Sequence, residues 1–168
     1  MYVSHANRGM GLEMVVDMAN RTYDQRGIAV IDKVPTPIKV IQKNPTTRRI
    51  TDAIYEKKSG VDYLGTYNGV SIAFDAKATR NTAFPLSNLE EHQYQYLEKK
   101  HNQKAVCFLL VEFTKKNERF ILPFKDLKEW WEGAAAGGRK SIPYKFFKED
   151  CYQVKSGRGI AVDYLAGL

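Results

Sequence analysis

The stretch VDYLGTYNGVSIAFDAKAT, from Val61 to Thr79, leaves the backbone little choice. Asn-Gly between alternating residues is the strongest short-range hairpin signal, because a two-residue primed turn needs positive φ at both central positions. With Asn68 and Gly69 at the tip, the register follows by counting. Tyr67 faces Val70, Gly65 faces Ile72, Tyr63 faces Phe74 and Val61 faces Ala76, an apolar face. On the other side Thr66 meets Ser71, Leu64 meets Ala73 and Asp62 meets Asp75. Lys77 projects from that same side, two residues beyond Asp75.

Two carboxylates placed directly opposite would have Cβ atoms roughly 4.5–5.5 Å apart, and like charges so placed are destabilising. A divalent cation between them removes the repulsion, and hard oxygen ligands suit Mg²⁺ or Mn²⁺. The adjacent lysine could hold a scissile phosphate or orient a nucleophilic water. A D…D-x-K pattern on one face therefore meets the needs of metal-assisted phosphodiester hydrolysis. The same alternation also describes an ordinary half-buried hairpin with a charged solvent face, and a bulge would offset the pair. Both readings stand on the residues alone.

The flanking chain is read as one α/β domain, residues 1–168, with a mixed sheet. NRGMGLEMVVDMANRTY predicts an amphipathic helix whose apolar stripe has Met10, Met14 and Met18 four apart with Leu12 and Val15 close to it, and Glu13 and Asp17 on its flank. If that helix packs beside the hairpin, Glu13 becomes a third carboxylate near the metal. Ile28 to Ile31 reads as a short strand. The segment 33–58 carries Pro35, Pro37 and Pro45, which argue against a core element. It also carries Lys33, Lys39, Lys43, Arg48, Arg49, Lys57 and Lys58, and reads as a protruding basic arm. After the hairpin, Ser87 and Glu90 have capping-box spacing and open a helix that puts Gln93 on one face with Leu89, Tyr96 and Lys100. KAVCFLLVEF is a strand apolar on both faces, RFILPF pairs with it, and LKEWWEG is a short helix stopped by Gly133. One of Trp130 and Trp131 is expected in the core. AAAGGRKSIPY is a flexible loop bearing Arg139 and Lys140, followed by a short helix and an edge strand.

A formal charge of +7, from 26 Lys+Arg against 19 Asp+Glu, favours a polyanionic partner. The apolar run Ala105 to Val111 is too short to span a bilayer, and the first residues lack a secretory h-region, so a cytoplasmic location and no membrane partner are expected. Cys107 and Cys151 have no metal-ligand spacing, and the three histidines are scattered. No phosphate-binding glycine loop and no nucleophile elbow occur.

Taken in order, NRGMGLE, IAVIDKVPTPIKV, the hairpin, FPLSNLEEHQ and GRKSI resemble the RecU-type Holliday junction resolvases of the PD-(D/E)xK nuclease superfamily. The resemblance covers nearly the whole chain. It implies a restriction-endonuclease-like fold and a homodimeric, Mg²⁺-dependent endonuclease that resolves four-way DNA junctions by paired nicks. It implies metal-binding roles for Asp62 and Asp75, transition-state stabilisation by Lys77, and an association of Gln93 with the metal. The segment from Lys33 to Lys58 is implied to be a stalk entering the junction, with Arg8, Arg139 and Lys140 as phosphate contacts. A bacterial or phage origin is implied, and a recombinase is a further candidate partner.

Two positions depart from the family pattern. Asp75 stands where relatives usually carry glutamate, and Val61 where they usually carry threonine. Alternative readings are a nuclease for other branched or linear DNA, or a non-catalytic junction-binding recombination accessory protein.

Overall fold

The computed structural model describes residues 6–56 and 60–168, the first five of these through their backbone alone. In chain order the helices are α1 (Ala6–Gln25), α2 (Glu91–Asn102), α3 (Phe124–Ala135) and α4 (Tyr144–Asp150). The strands are β1 (Ala29–Lys33), β2 (Ile38–Lys43), β3 (Ile50–Tyr55), β4 (Tyr63–Tyr67), β5 (Val70–Thr79), β6 (Ala83–Pro85), β7 (Val106–Phe113), β8 (Glu118–Pro123), β9 (Ser141–Pro143) and β10 (Tyr152–Val154). Six of them form one sheet in the order β1-β4-β5-β7-β8-β10. Only β5 and β7 run parallel, which requires the crossover that α2 supplies. The other neighbours in that sheet are antiparallel, so the sheet is mixed, as expected.

Helices cover both faces. Alternation along β5 sends Ile72, Phe74 and Ala76 into the core under α1, where Leu12, Val16, Ala19 and Tyr23 lie buried. Ala73 goes to the other core, with Tyr94 and Leu97 of α2 and Phe124 and Leu127 of α3. The rings of Tyr63, Phe74 and Phe108 stack across three adjacent strands, at centroid separations of 4.8 and 4.6 Å. The hairpin pairs Tyr67 with Val70 through to Tyr63 with Phe74, the register counted from Asn68 and Gly69. Both tip residues have positive φ, at 49° and 77°.

At Gly65, β4 crosses close to β1. A Cβ there would stand 2.3 Å from the Val30 carbonyl oxygen and 2.6 Å from the Ile31 Cα. Gly65→Ala is therefore expected to push β1 off the sheet and cost about 1–3 kcal/mol, the usual range for overpacking. A shift in the midpoint of denaturant unfolding measures it.

Four expectations need correcting. The methionine stripe is not the buried face of α1: Met14 and Met18 are 61% and 59% exposed, while Leu12, Val16, Ala19 and Tyr23 are covered. The capping box lies three residues later than expected. Leu86 and Leu89 are both buried by a 3₁₀ turn at Leu86–Asn88, and α2 then starts afresh at Glu91. Helix α3 runs through Gly133 to Ala135, and the chain turns at Gly137 and Gly138. Gly137 has φ of 91°, and Gly138 packs so near the Gly133 carbonyl that a Cβ would sit 2.7 Å from it. Finally, the expected flexible loop contains β9, which pairs with β6.

Both tryptophans pack. Trp131 stacks on Tyr94 at 4.6 Å, and Trp130 meets Phe146 edge-on at 5.5 Å. The carboxy-terminal segment is strapped to α1 through Asp163, which accepts from the Tyr23 hydroxyl at 2.9 Å and from Arg158 at 2.6 and 2.7 Å. The Arg158 guanidinium holds the Asp163 carboxyl below the usual carboxylate range. No helix among the described residues is long and apolar enough to cross a membrane.

Candidate active site

Beyond Tyr63 the two strands of the hairpin are joined by side chains rather than by ladder bonds. The Asp62 N–H donates to Asp75 Oδ1 at 2.9 Å, and the Ala76 N–H donates to Asp62 Oδ2 at 3.2 Å. The Asp62 carbonyl in turn accepts from the Val34 N–H at 2.8 Å, tying this corner to the chain leaving β1. The carboxylates are thus held together from both strands. Above them, the ring of Tyr96 on α2 lies so close to Gly60 that a Cβ there would come within 2.5 Å of it.

Asp75 is fully buried, and its Oδ2 has no hydrogen-bond partner among the described residues. Burial, followed by the neighbouring Asp62 carboxylate, pushes its carboxyl up to about 8. The Lys77 ammonium, 4.0 Å from Oδ1, pulls the other way. A buried carboxyl with one oxygen unsatisfied beside a second carboxylate is costly for a structural strand. Its oxygens are also the hard donors that Mg²⁺ or Mn²⁺ prefers. The two carboxylates fit such an ion. No group of three or more His, Cys, Asp or Glu residues that could hold a metal occurs among the described residues.

Lys77 reaches toward α2, where its Nζ donates to Gln93 Oε1 at 3.1 Å. Gln93 is the third residue of that helix, and its Oε1 also accepts the Glu90 N–H at 3.1 Å. Glu13 takes a different place. Its Oε2 is 2.5 Å from Lys33 Nζ, and Asp17 Oδ2 lies 3.9 Å from the same ammonium. Asp17 Oδ1 accepts from the Tyr63 hydroxyl at 2.8 Å. The structure therefore brings Asp62, Asp75, Lys77 and Gln93 together, and sets Glu13 in an ion pair with Lys33. Asp17 was legible only as a flanking acid, although its i, i+4 spacing from Glu13 is the signal that two acids on one helix face can share a cation.

Lys33 is the last residue of β1 and belongs to the six-stranded sheet. The arm proper is the two-stranded ribbon of β2 and β3, nearly all of it exposed. Lys39 and Lys43 lie on β2, and Arg48 and Arg49 form its far turn, where Asn44 Oδ1 accepts the N–H groups of Thr46 and Thr47 at 2.9 Å each. Arg139 and Lys140 are exposed beside β9, Arg139 donating to Ser141 Oγ at 3.3 Å. The Arg8 side chain, Lys57 and Lys58 lie outside the described residues.

Residues 7–168 match the family described as RecU, Recombination protein U. The chain is similar to the Holliday junction resolvase RecU of Pediococcus pentosaceus, at 40% identity over 98% of this chain and 84% of the relative. It is likewise similar to that of Geobacillus kaustophilus, at 39% identity over 96% of this chain and 83% of the relative. Among solved structures it is similar to Archaeoglobus fulgidus Hjc, a Holliday junction resolvase, at a TM-score of 0.40 and 8% identity over 68% of this chain and 74% of that one, too faint a likeness to add weight. A family match spanning nearly the whole chain, with relatives at this identity, shows that the chain belongs to the RecU family.

Proposed function

We propose that this protein is an endonuclease that resolves four-way DNA junctions by divalent-metal-dependent hydrolysis. The observation that carries the reading is the Asp62–Asp75 pair, in which a buried Asp75 has an orphaned carboxylate oxygen and a lysine lies beside it. Relatives named Holliday junction resolvases supply the substrate class. Asp62 and Asp75 hold the ion, Mg²⁺ with Mn²⁺ able to substitute. Such an ion supplies Lewis acidity and a water acidic enough to attack at neutral pH. Lys77 places positive charge where the phosphorane develops negative charge. Glu13 would have to leave Lys33 to serve as a ligand, so it stands outside the proposed metal set.

DNA contacts follow the exposed cations. Lys39, Lys43, Arg48 and Arg49 on the ribbon, with Lys57 and Lys58 after it, face the junction centre in this reading. Arg8, Arg139 and Lys140 meet flanking phosphates, while Lys33 is engaged by Glu13 and Asp17. Paired nicks in strands of like polarity call for a homodimer, whose two-fold axis matches two sites to two strands. The setting is bacterial cytoplasm, with a recombinase as a candidate partner.

The test compares a synthetic four-way junction with a linear duplex at one salt concentration, in Mg²⁺ and in chelator. Metal-dependent nicking selective for the junction is the expected result. Tight junction binding with no cleavage in Mg²⁺ or Mn²⁺ would overturn it in favour of an accessory role. Equal cutting of both substrates would overturn the substrate class alone. Deleting residues 38–55 is expected to impair junction cutting while sparing duplex nicking, because the ribbon belongs to a separate sheet from the six strands that hold the site. Equal loss on both substrates would remove the ribbon as the reader of shape.

A further inference from the structure

Lysine is an awkward catalytic group. Its ammonium rides on a flexible four-carbon stem with three rotatable donors, so something must aim it. In this site the strong attraction is in the wrong direction, because Asp75 Oδ1 lies 4.0 Å from Nζ. Closing that gap would put the ammonium on an oxygen that a metal ion needs. The hydrogen bond that Nζ donates, at 3.1 Å, leads away from the carboxylate, to Gln93 Oε1.

That oxygen is already committed. An amide oxygen offers two lone pairs. One accepts the Lys77 ammonium, and the other accepts the Glu90 N–H that opens α2, each at 3.1 Å. The other end of the amide is an NH₂ group, which donates and cannot bind a cation. Turning the amide over would set that NH₂ against both the Glu90 N–H and the ammonium, donor against donor, so the network itself determines the orientation. Gln93 has no acceptor left for a metal.

We infer that Gln93 is the positioning residue of Lys77 and not a metal ligand. The first turn of α2 acts as a bracket: the bond from the Glu90 N–H anchors the amide, and the amide holds the ammonium off Asp75. The inference rests on the reading of Lys77 as catalytic and departs from the metal association that the family resemblance implies for this glutamine. It also explains why a glutamine occupies the third helical position. Capping needs an acceptor there, and the lysine uses the same one.

The test uses the full-length protein and three substitutions. Gln93→Met keeps the length and removes the acceptor. Gln93→Asn keeps an amide but withdraws it by one methylene, and replaces the methionine variant should that one fold poorly. Gln93→Glu restores an oxygen acceptor. Single-turnover junction cleavage at saturating enzyme and saturating Mg²⁺ gives the rate, and calorimetric Mn²⁺ titration without DNA gives metal affinity. Gln93→Met is expected to lower the rate about 10–100-fold, the scale of a misplaced catalytic group, with Mn²⁺ affinity and junction affinity unchanged. Gln93→Glu is expected to recover most of that loss. A merely structural cap would lower thermal stability and leave the saturated rate alone, which would overturn the inference. Weakened Mn²⁺ affinity would overturn it in favour of a ligand. A wild type that cuts no junction would fail the nuclease reading separately, and the Mn²⁺ titration would still decide whether Gln93 is a ligand.

Discussion

Asp75→Asn is expected to lower metal-dependent junction cleavage by about a hundredfold or more, since loss of outer-shell partners alone commonly costs metal sites about 10–100-fold. The substitution is nearly isosteric, so the reason is chemical. Asparagine keeps an oxygen to accept the Asp62 N–H, now at 2.9 Å from Asp75 Oδ1, and replaces the orphaned Oδ2 with a donor. That donor can face the Asp62 carboxylate, which removes the like-charge conflict without help from a cation. The variant should therefore fold at least as well as the wild type, bind the junction with equal affinity at matched salt, and bind Mn²⁺ poorly. Cleavage at the wild-type rate would remove Asp75 from the site. A variant that unfolds would show that the carboxylate is needed for the fold, contrary to the orphaned oxygen.

How much of this was legible beforehand depended on range. The hairpin register was readable because Asn68 and Gly69 admit one turn geometry and the side-chain period is two. That Asp62 meets Asp75, with Lys77 beside it, followed without any distant contact, although the counted ladder stops at Tyr63 and Phe74 and Val61 packs in the opposite core from Ala76. The ribbon was readable as an arm because its prolines and polar residues could not form a covered strand. What needed a second element was misread or invisible. Four-residue spacing of Met14 and Met18 suggested a buried stripe, yet the sheet accepts the face carrying Leu12, Val16 and Tyr23. Ser87 and Glu90 have the spacing of a capping box, but burial of Leu86 and Leu89 delays the helix to Glu91. The pairing of Glu13 with Lys33, and of Gln93 with Lys77, depends on how helices dock against strands far away in the chain. Local spacing carries no trace of that. Asp75 accepts directly from the Asp62 N–H, so the strand end and the proposed ligand form one unit.

Divalent-metal affinity is expected to weaken about tenfold for each pH unit below the Asp75 value, because the ion must displace one proton that the buried carboxyl retains. That value lies at about 8, raised first by burial and then by Asp62. The sign for stability is opposite to that of an ordinary paired carboxylate. Between the unfolded value near 4 and the folded value, the native state of the metal-free protein holds a proton that the unfolded chain has released. Unfolding free energy in chelator should then be highest at the acid end of that interval. It should fall by about 1.4 kcal/mol for each pH unit until the folded value is reached. A saturating divalent ion cancels the trend, since it binds only the native pair and its affinity gains with each pH unit about what the metal-free protein loses. Two controls isolate the group: Asp75→Asn should flatten both profiles, and calorimetry in buffers of different ionisation enthalpy should report close to one proton released per ion at about pH 7 in the wild type. An affinity unchanged across this range would mean that Asp75 is ionised before the ion arrives. Lys77 would then already offset one of the two carboxylate charges, and the ion would be recruited by the phosphate rather than by the hairpin.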